Sequence, residues 1–473
     1  MKMVKDKIDM NPQNLIPILI LVACFALLPK VQAVSPPPDG DYPGGNTAEG
    51  QQALLSLSGG TYNTAVGFIS LKSNIAGNFN TGLGAATLLA NTGYQNTATG
   101  AGALLSNTTG FRNTANGAFA LFKNVGAADN TATGNAALFA NTTGSGNTAN
   151  GNFALINNTT GTNNTAIGNG TLASNDTANE NTATGAGALS SNTTAGENTA
   201  DGVNALASNS GSNASGNTAV GWSALFSNTD GGFNTATGDD ALVNNTIGYA
   251  NTANGAQSLN NNTTGAANTA MGGGALFNNT TGSGNIALGL NAGIGVSTAN
   301  HVICIGADGA NVTNSCYIGN IFGETSASGA AVFINSSNKL GTLTSSCRFK
   351  DDIKPMERLS EALFALKPVT FHYKKEIDPA GIQQFGLVAE EVEKVNPDLV
   401  VRDKEGKPYS VRYEQVNAML LNEFLKEHRK NEEQEAIIAR QQKQIEALAV
   451  GLQKVSAQLE TTKPASRMVN NNQ

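Results

Sequence analysis

The sequence predicts a mainly β fold: a β-roll or β-solenoid rod of 17-residue coils, then a small α+β domain and a C-terminal coiled coil, the whole forming a parallel homotrimer. Three observations carry this expectation. The motif Asn-Thr-Ala-x-Gly recurs through nearly half of the chain, charge is scarce in that stretch and dense after it, and an apolar heptad closes the chain.

The repeat starts at Asn63, Asn80, Asn96, Asn113, Asn130, Asn147, Asn164, Asn181, Asn198, Asn217, Asn234, Asn251, Asn268 and Asn285. Of its 13 intervals, 11 are 17 residues, one is 16 and one is 19. Within a copy such as Asn96 to Arg112, Asn-Thr occurs twice, 11 residues apart, and each time closes on a nearby glycine. Gly and β-branched Thr in every window exclude paired helices. Short strands between Asn/Gly turns fit, and each coil is expected to give two, one from the Ala of Asn-Thr-Ala and one from the following Ala-Leu patch. Strands about 4.8 Å apart would stack 14 coils over roughly 65 Å. Asn residues in register can exchange amide hydrogen bonds along the stack. The Asn-Thr-Thr sequons are read as recurring turn chemistry rather than as glycan sites.

Residues 45–340 carry 4 Lys/Arg and 11 Asp/Glu, 15 charges in 296 positions, whereas residues 341–473 carry 20 of each sign in 133. The first stretch is therefore neither held by ion pairs nor a basic nucleic-acid binder. Such a composition escapes disorder only if stacked copies share one core. After Asn285 the pattern loosens into His301–Gly306 and Cys316–Ile321, closing coils with more apolar strands.

In the charged part, Leu359, Leu363 and Leu366 mark a helix face ended by Pro368, and Val369 to Tyr373 alternates as a strand. Gly386 to Ala389 opens a helix bearing Glu390, Glu391 and Glu393, a solvated face, while His372 reads as structural. Asp403 to Lys407 is a hairpin turn. From Asn417 the chain is helical, with Ile438, Ile445, Leu452 and Leu459 at a positions and Gln441, Leu448 and Val455 at d, a coiled coil in which Gln441 can fix register.

Cys304, Cys316 and Cys347 leave an odd number after the leader's Cys24. A Cys304–Cys316 bridge and two buried thiols in adjacent strands both fit. No Cys/His cluster has ligand spacing, so neither a metal nor a cofactor is expected. At the N-terminus, Lys2, Lys5 and Lys7 precede an apolar run from Leu15 to Leu28 and then Val31-Gln32-Ala33, a secretory signal peptide cleaved after Ala33. Leu21-Val22-Ala23-Cys24 also resembles a lipoprotein box, which would acylate Cys24. The expected segments are 1–33 signal peptide, 34–62 linker and first cap, 63–300 repeats, 301–344 closing β region, 345–425 α+β domain, 426–460 coiled coil and 461–473 disordered tail.

Ser345 and Lys350 sit where the two compositions meet. Their spacing alone does not pair them: on a helix they point about 140° apart and on a strand to opposite faces. The wider segment says more. Ser345-Ser346-Cys347-Arg348-Phe349-Lys350, then LFALKPVTFHYK, FGLVAEEVEKVNPDLV and YSVRYEQVNAMLLNEF, together resemble the C-terminal intramolecular chaperone of phage tailspikes and tail fibres, the endosialidase-type autopeptidase, over about Ser345 to Phe424. That resemblance implies a Ser-Lys dyad with Ser345 as nucleophile and Lys350 as general base. Arg348 is retained as support, and cleavage falls between Thr344 and Ser345. Ser346 stands where the family has Asp. The repeats resemble, in style, the β-roll heads of trimeric autotransporter adhesins.

The resulting expectation is an exported, fibre-like, adhesin-type structural protein, secreted or at the cell surface. Its C-terminal domain would drive trimer assembly and cut itself off once, as a serine autopeptidase with no external substrate. The alternatives are a non-cleaving trimer anchor and, further off, a polysaccharide-degrading tailspike, for which the array has too few carboxylates. The expected partner is the chain itself, with membrane contact only through the leader or Cys24. No nucleic acid is expected, and nothing in the array says which cell-surface or glycan ligand the rod would bind.

Overall fold

The computed structural model describes residues 42–462, apart from 325, 328 and 336. The expected signal peptide, its cleavage after Ala33, the acylation of Cys24 and the tail beyond 462 lie outside the described residues. The chain divides into two compact units, Met1–Glu324 and Thr325–Gln473.

The first unit is one parallel sheet of 17 three-residue strands, from Thr47–Glu49 to Cys316–Ile318, each paired in register with the strand one coil away. At about 4.8 Å per strand this stack is roughly 75 Å long. The first strand belongs to an Asn-Thr-Ala-x-Gly copy at Asn46, one coil before Asn63 and inside the segment read as linker and first cap. In each strand the central residue, alanine in all but the strands centred on Gly82, Cys304 and Tyr317, points inward and the flanking residues outward, the period-2 alternation of a sheet with one buried face. From Ala98 to Ala287 these central alanines are fully buried.

Each coil has one strand, not the two expected. The Ala-Leu patch folds as consecutive tight turns: around Phe119–Leu121, the Ala120 N–H donates to the Gly117 carbonyl (3.3 Å) and the Asn124 N–H to the Leu121 carbonyl (3.1 Å). Phe119 (φ 60°) and Leu121 (φ 51°) are left-handed, which no strand accommodates. That conformation costs a side-chain-bearing residue about 1–2 kcal/mol. Burying a leucine contributes about 1.5–3 kcal/mol. The corner is therefore tolerable where its leucine is fully covered, and the leucine column from Leu71 to Leu276 is completely buried. The glycine after most strands is obligatory for another reason, the close approach of the neighbouring coil. At Gly117 (φ +149°) a Cβ would lie 2.3 Å from the Gly134 carbonyl oxygen of the next coil.

Two asparagine ladders run through the interior. In the first, Asn130 donates its backbone N–H to Asn113 Oδ1 (3.1 Å) and its side-chain amide to the Gly144 carbonyl (3.0 Å), and its Oδ1 accepts from the Asn147 N–H (2.9 Å). In the second, Asn124 Nδ2 donates to Asn107 Oδ1 (2.7 Å) and Asn141 Nδ2 to Asn124 Oδ1 (2.9 Å). This in-register amide exchange supplies partners to buried polar groups that would otherwise be costly to desolvate. It also explains the sequons: Asn107, Asn141, Asn158, Asn192, Asn262 and Asn279 are fully buried and have no face open to a glycan.

The 16- and 19-residue intervals both alter only the turn after the second asparagine. The ladders keep register across them, with the Asn96 N–H on Asn80 Oδ1 (3.0 Å) and the Asn217 N–H on Asn198 Oδ1 (2.9 Å). The first ladder ends where Val302 donates its N–H to Asn285 Oδ1 (2.8 Å). Beyond it, Cys304 is buried and Cys316 is exposed. Cys316 pairs with Ile303 rather than with Cys304, so the two thiols face opposite sides of the sheet. They do not bridge, and the idea that both are buried is corrected as well.

The second unit contains an antiparallel hairpin (Val332–Ile334 with Leu340–Thr342) and a 3-10 segment, Glu357–Ala365. Val369–Phe371 pairs with Gln384–Gly386, and helix α1 spans Ala389–Val395. Val400–Arg402 then pairs with Pro408–Val411 across the turn at Asp403, whose Oδ1 accepts from the Glu405 and Lys407 N–H groups (both 2.9 Å). A 49-residue helix α2, Tyr413–Thr461, follows. The fully buried apolar core is small: Val392, Leu399, Val400, Val411 and Met419, with Leu363 and Leu366 packed against it. Leu359 lies outside that face and is 75% exposed, because the 3-10 winding turns it away from Leu363. Among the described residues no helix is long and apolar enough to cross a membrane.

Candidate functional site

The seam follows the Leu340–Thr342 strand. Thr344 and Ser345 are exposed and lie outside any helix or strand, and Ser346, in extended conformation, caps a 3-10 turn, Cys347–Phe349. Its Oγ accepts from the Arg348 N–H (3.4 Å) and from Arg348 Nε (3.2 Å). A short hydroxyl at this position thus folds the arginine back onto the turn, and the guanidinium lies 5.4 Å from the Phe349 ring centre. Lys350 ends the turn in extended conformation, its N–H on the Cys347 carbonyl (3.2 Å).

Ser345 and Lys350 are both exposed, and no hydrogen bond joins them among the described residues. Within one chain the turn brings the segment's ends nearer without closing a nucleophile–base contact. A lysine becomes a base where burial disfavours its charge. The single chain offers no such cover at Lys350.

The carboxylates of helix α1 are engaged elsewhere or solvated. Glu391 pairs with Lys394 (2.6 Å), and that hydrogen bond and charge lower its carboxyl from the usual range. Glu393 pairs with Arg402, and Glu390 faces solvent.

A different Ser–Lys contact went unnoticed in the sequence. Ser360, fully buried, donates to the Glu423 carboxylate and accepts from Asn422 Nδ2 (2.7 Å) and Lys426 Nζ (3.3 Å). Lys426 also pairs with Glu423 at 2.6 Å. The Lys426 hydrogen bond, then that of Ser360, lowers the Glu423 carboxyl. Here the serine proton is held by a carboxylate and the lysine by an ion pair. Neither is poised for attack, and the cluster instead fastens α2 to the 3-10 segment. The separation of 66 residues between Ser360 and Lys426 left no local sequence signal, although Asn422, Glu423 and Lys426 share one helical face.

The outer part of α2 is unpartnered. Ile438, Ile445, Leu448, Leu452, Val455 and Leu459, the heptad positions, are each more than half exposed. So are Phe349, Leu359, Phe364, Phe385 and Phe424 elsewhere in this unit.

Comparison with known families gives a match to the stretch that starts at the seam. Residues 345–401 match the family model described as the chaperone of endosialidase. No curated protein matches the chain, and no solved structure does. The match begins at Ser345, the residue singled out at the seam, and stops before α2. The chain thus carries an endosialidase-type chaperone domain behind a β-solenoid rod.

Proposed function

We propose that this is an exported, trimeric, fibre-like surface protein, adhesin-like in build, whose C-terminal domain gathers three copies and then severs itself between Thr344 and Ser345. The observation that carries the assembly reading is the amount of apolar surface around the chaperone-family domain. Five buried side chains are a thin core for the described part of this unit, while phenylalanines and a full heptad seam stand in solvent. Monomeric domains rarely expose such patches, and a, d seams are covered by other helices.

Cleavage would follow from assembly. Ser345 directly follows the carbonyl it would attack. Its Oγ bonds to the Thr344 carbonyl carbon while Lys350 takes the hydroxyl proton. As the Thr344–Ser345 C–N bond breaks, that proton passes to the leaving nitrogen, and water hydrolyses the resulting ester to a Thr344 carboxylate and a free Ser345 hydroxyl. In one chain Lys350 is exposed; packing of three copies is what would cover it and make it a base. Arg348 supports the turn.

The experiment is the intact mass of the folded full chain beside Ser345→Ala. Two fragments meeting at Thr344/Ser345 in the parent chain alone establish Ser345-dependent cleavage. One full-length trimeric species in both favours a second reading, a retained anchor. The engagement of Arg348 by Ser346 speaks for that reading, since it occupies a side chain the cleavage motif keeps. Export rests on the leader: the protein recovered outside the cell should begin at Val34, or at an acylated Cys24.

A further inference from the structure

The outward face of the rod changes character over its last four strands. From Thr47 to Thr269 the first residue of every strand is threonine; in the next two strands it is Ile286 and Ile303. The third residue becomes Met271, Leu288, Ile305 and Ile318. Parallel pairing sets these side by side: Met271 against Leu288, Leu288 against Ile305, Ile305 against Ile318, and Ile286 against Ile303. All six are 36–49% exposed, and none of the outward residues of these strands is charged.

We propose that this flat apolar face is where the rods of neighbouring copies of this chain meet, at the rod's C-terminal end. The inference rests on the assembly reading above. Its area decides the occupant. The six side chains present on the order of 500 Å², toward the upper end of the largest patch a monomer leaves open, a size that is often functional. That is less than the roughly 800 Å² per partner of a stable pairwise interface. A free partner would not be held by it. Copies already gathered by the C-terminal domain are at a local concentration of about millimolar, where so small a face suffices. On parallel rods in register, a strip next to the axis of a cyclic assembly would meet its own copies at the same height, and it carries no charge for that contact to bring together.

Cys316 stands on this same outward face, beside Ile303. The test is a spin label on Cys316 in the full chain with Cys24→Ser and Cys347→Ser, and with Ser345→Ala so that the C-terminal domain stays attached, read by dipolar spectroscopy. The comparison is a label at Thr133 in the same background (Thr133→Cys, Cys316→Ser), on the polar stretch of the same face, and the mass of both is measured by light scattering. Trimer mass with a short distance between Cys316 labels is the expected result. Leu288→Glu with Ile305→Glu should then lengthen that distance while the mass stays trimeric. Trimer mass with Cys316 labels as far apart as randomly placed molecules overturns the proposal and leaves the assembly reading intact. That outcome includes a face covered by the chain's own 332–342 hairpin. Monomer mass overturns the assembly reading, and the proposal with it.

Discussion

Replacing Asn130 by alanine removes the centre of one ladder step. Alanine keeps the backbone N–H on Asn113 Oδ1, so that bond survives. Three contacts disappear: Nδ2 to Asn113 Oδ1 (3.2 Å), Nδ2 to the Gly144 carbonyl (3.0 Å), and the Asn147 N–H to Oδ1 (2.9 Å). Gly144 retains a donor, since Asn141 Nδ2 reaches the same carbonyl at 2.9 Å. The Asn147 N–H has no such substitute and is left buried without a partner. One stranded donor costs about 1–3 kcal/mol, and each lost but replaceable bond contributes about 1 kcal/mol or less. The expected loss is about 2–4 kcal/mol, local to the coils that contain it, because a stacked array couples only neighbours. Global melting is a poor readout for such an array. Native-state hydrogen exchange reads the effect directly: the Asn147 amide should exchange about 30- to 1000-fold faster, at tenfold per 1.4 kcal/mol. Amides several coils away should be unchanged, and Asn157→Ala at an exposed asparagine should do nothing. Unchanged exchange at Asn147 would refute the claim that the ladder, rather than packing of the alanine and leucine columns, specifies the coil.

Other consequences concern the second unit. On the assembly reading, Ile445→Asp with Leu452→Asp places charge on the seam of α2 and is expected to lower the mass in light scattering from that of a trimer to that of a monomer; an unchanged mass would count against α2 as the gathering element. The Glu423 carboxyl is held below its usual range by Lys426 first and Ser360 second. A lowered folded pKa means stability that is present above the unfolded value and lost as pH falls through the folded one. Protection of the α2 amides near Met419 should therefore weaken on acidification below the ordinary glutamate range, and Ser360→Ala should flatten that dependence; an equal slope in both proteins would count against the cluster as the fastening.

The period, the stack and the asparagine ladders were legible because each coil repeats the same environment, so Asn130 and Asn147 announce one interaction many times over. The missing second strand was not legible. A run such as Ala118-Phe119-Ala120-Leu121 alternates small and large apolar residues as a strand does, and only the left-handed φ at Phe119 and Leu121 turns it into corners. Propensity does not register that conformation, since leucine rarely adopts it without burial to offset the strain. The seam residues were legible as a motif and not as a geometry. Ser345 and Lys350 lie apart and exposed in a single chain, and what would bring them together is not encoded in their spacing. The Ser360 cluster was invisible for the opposite reason, its contacts being tertiary.

The register also changes what an assembly domain has to supply. Long-range strand pairing is slow because loop closure must precede the contacts that reward it. In this rod, however, each strand pairs with the strand one coil away. Propagation is therefore local, and the costly event is the first coil, which has no neighbour to cover its alanine and leucine. The C-terminal coils are the best candidates for that nucleus. Their ladder is closed by the buried Val302, their inward positions include Cys304 and Val296, and their outward faces are apolar. Holding three such coils side by side would cover surface that one copy must leave in water. Folding would then run from this end toward the N-terminus, one ladder step at a time. Pulse-labelling exchange during refolding should find the amides of Ile286 and Ile303 protected before those of Thr64 and Thr81. Protection that appears first at the N-terminal coils would show that the domain beyond the seam contributes alignment alone and not the nucleus.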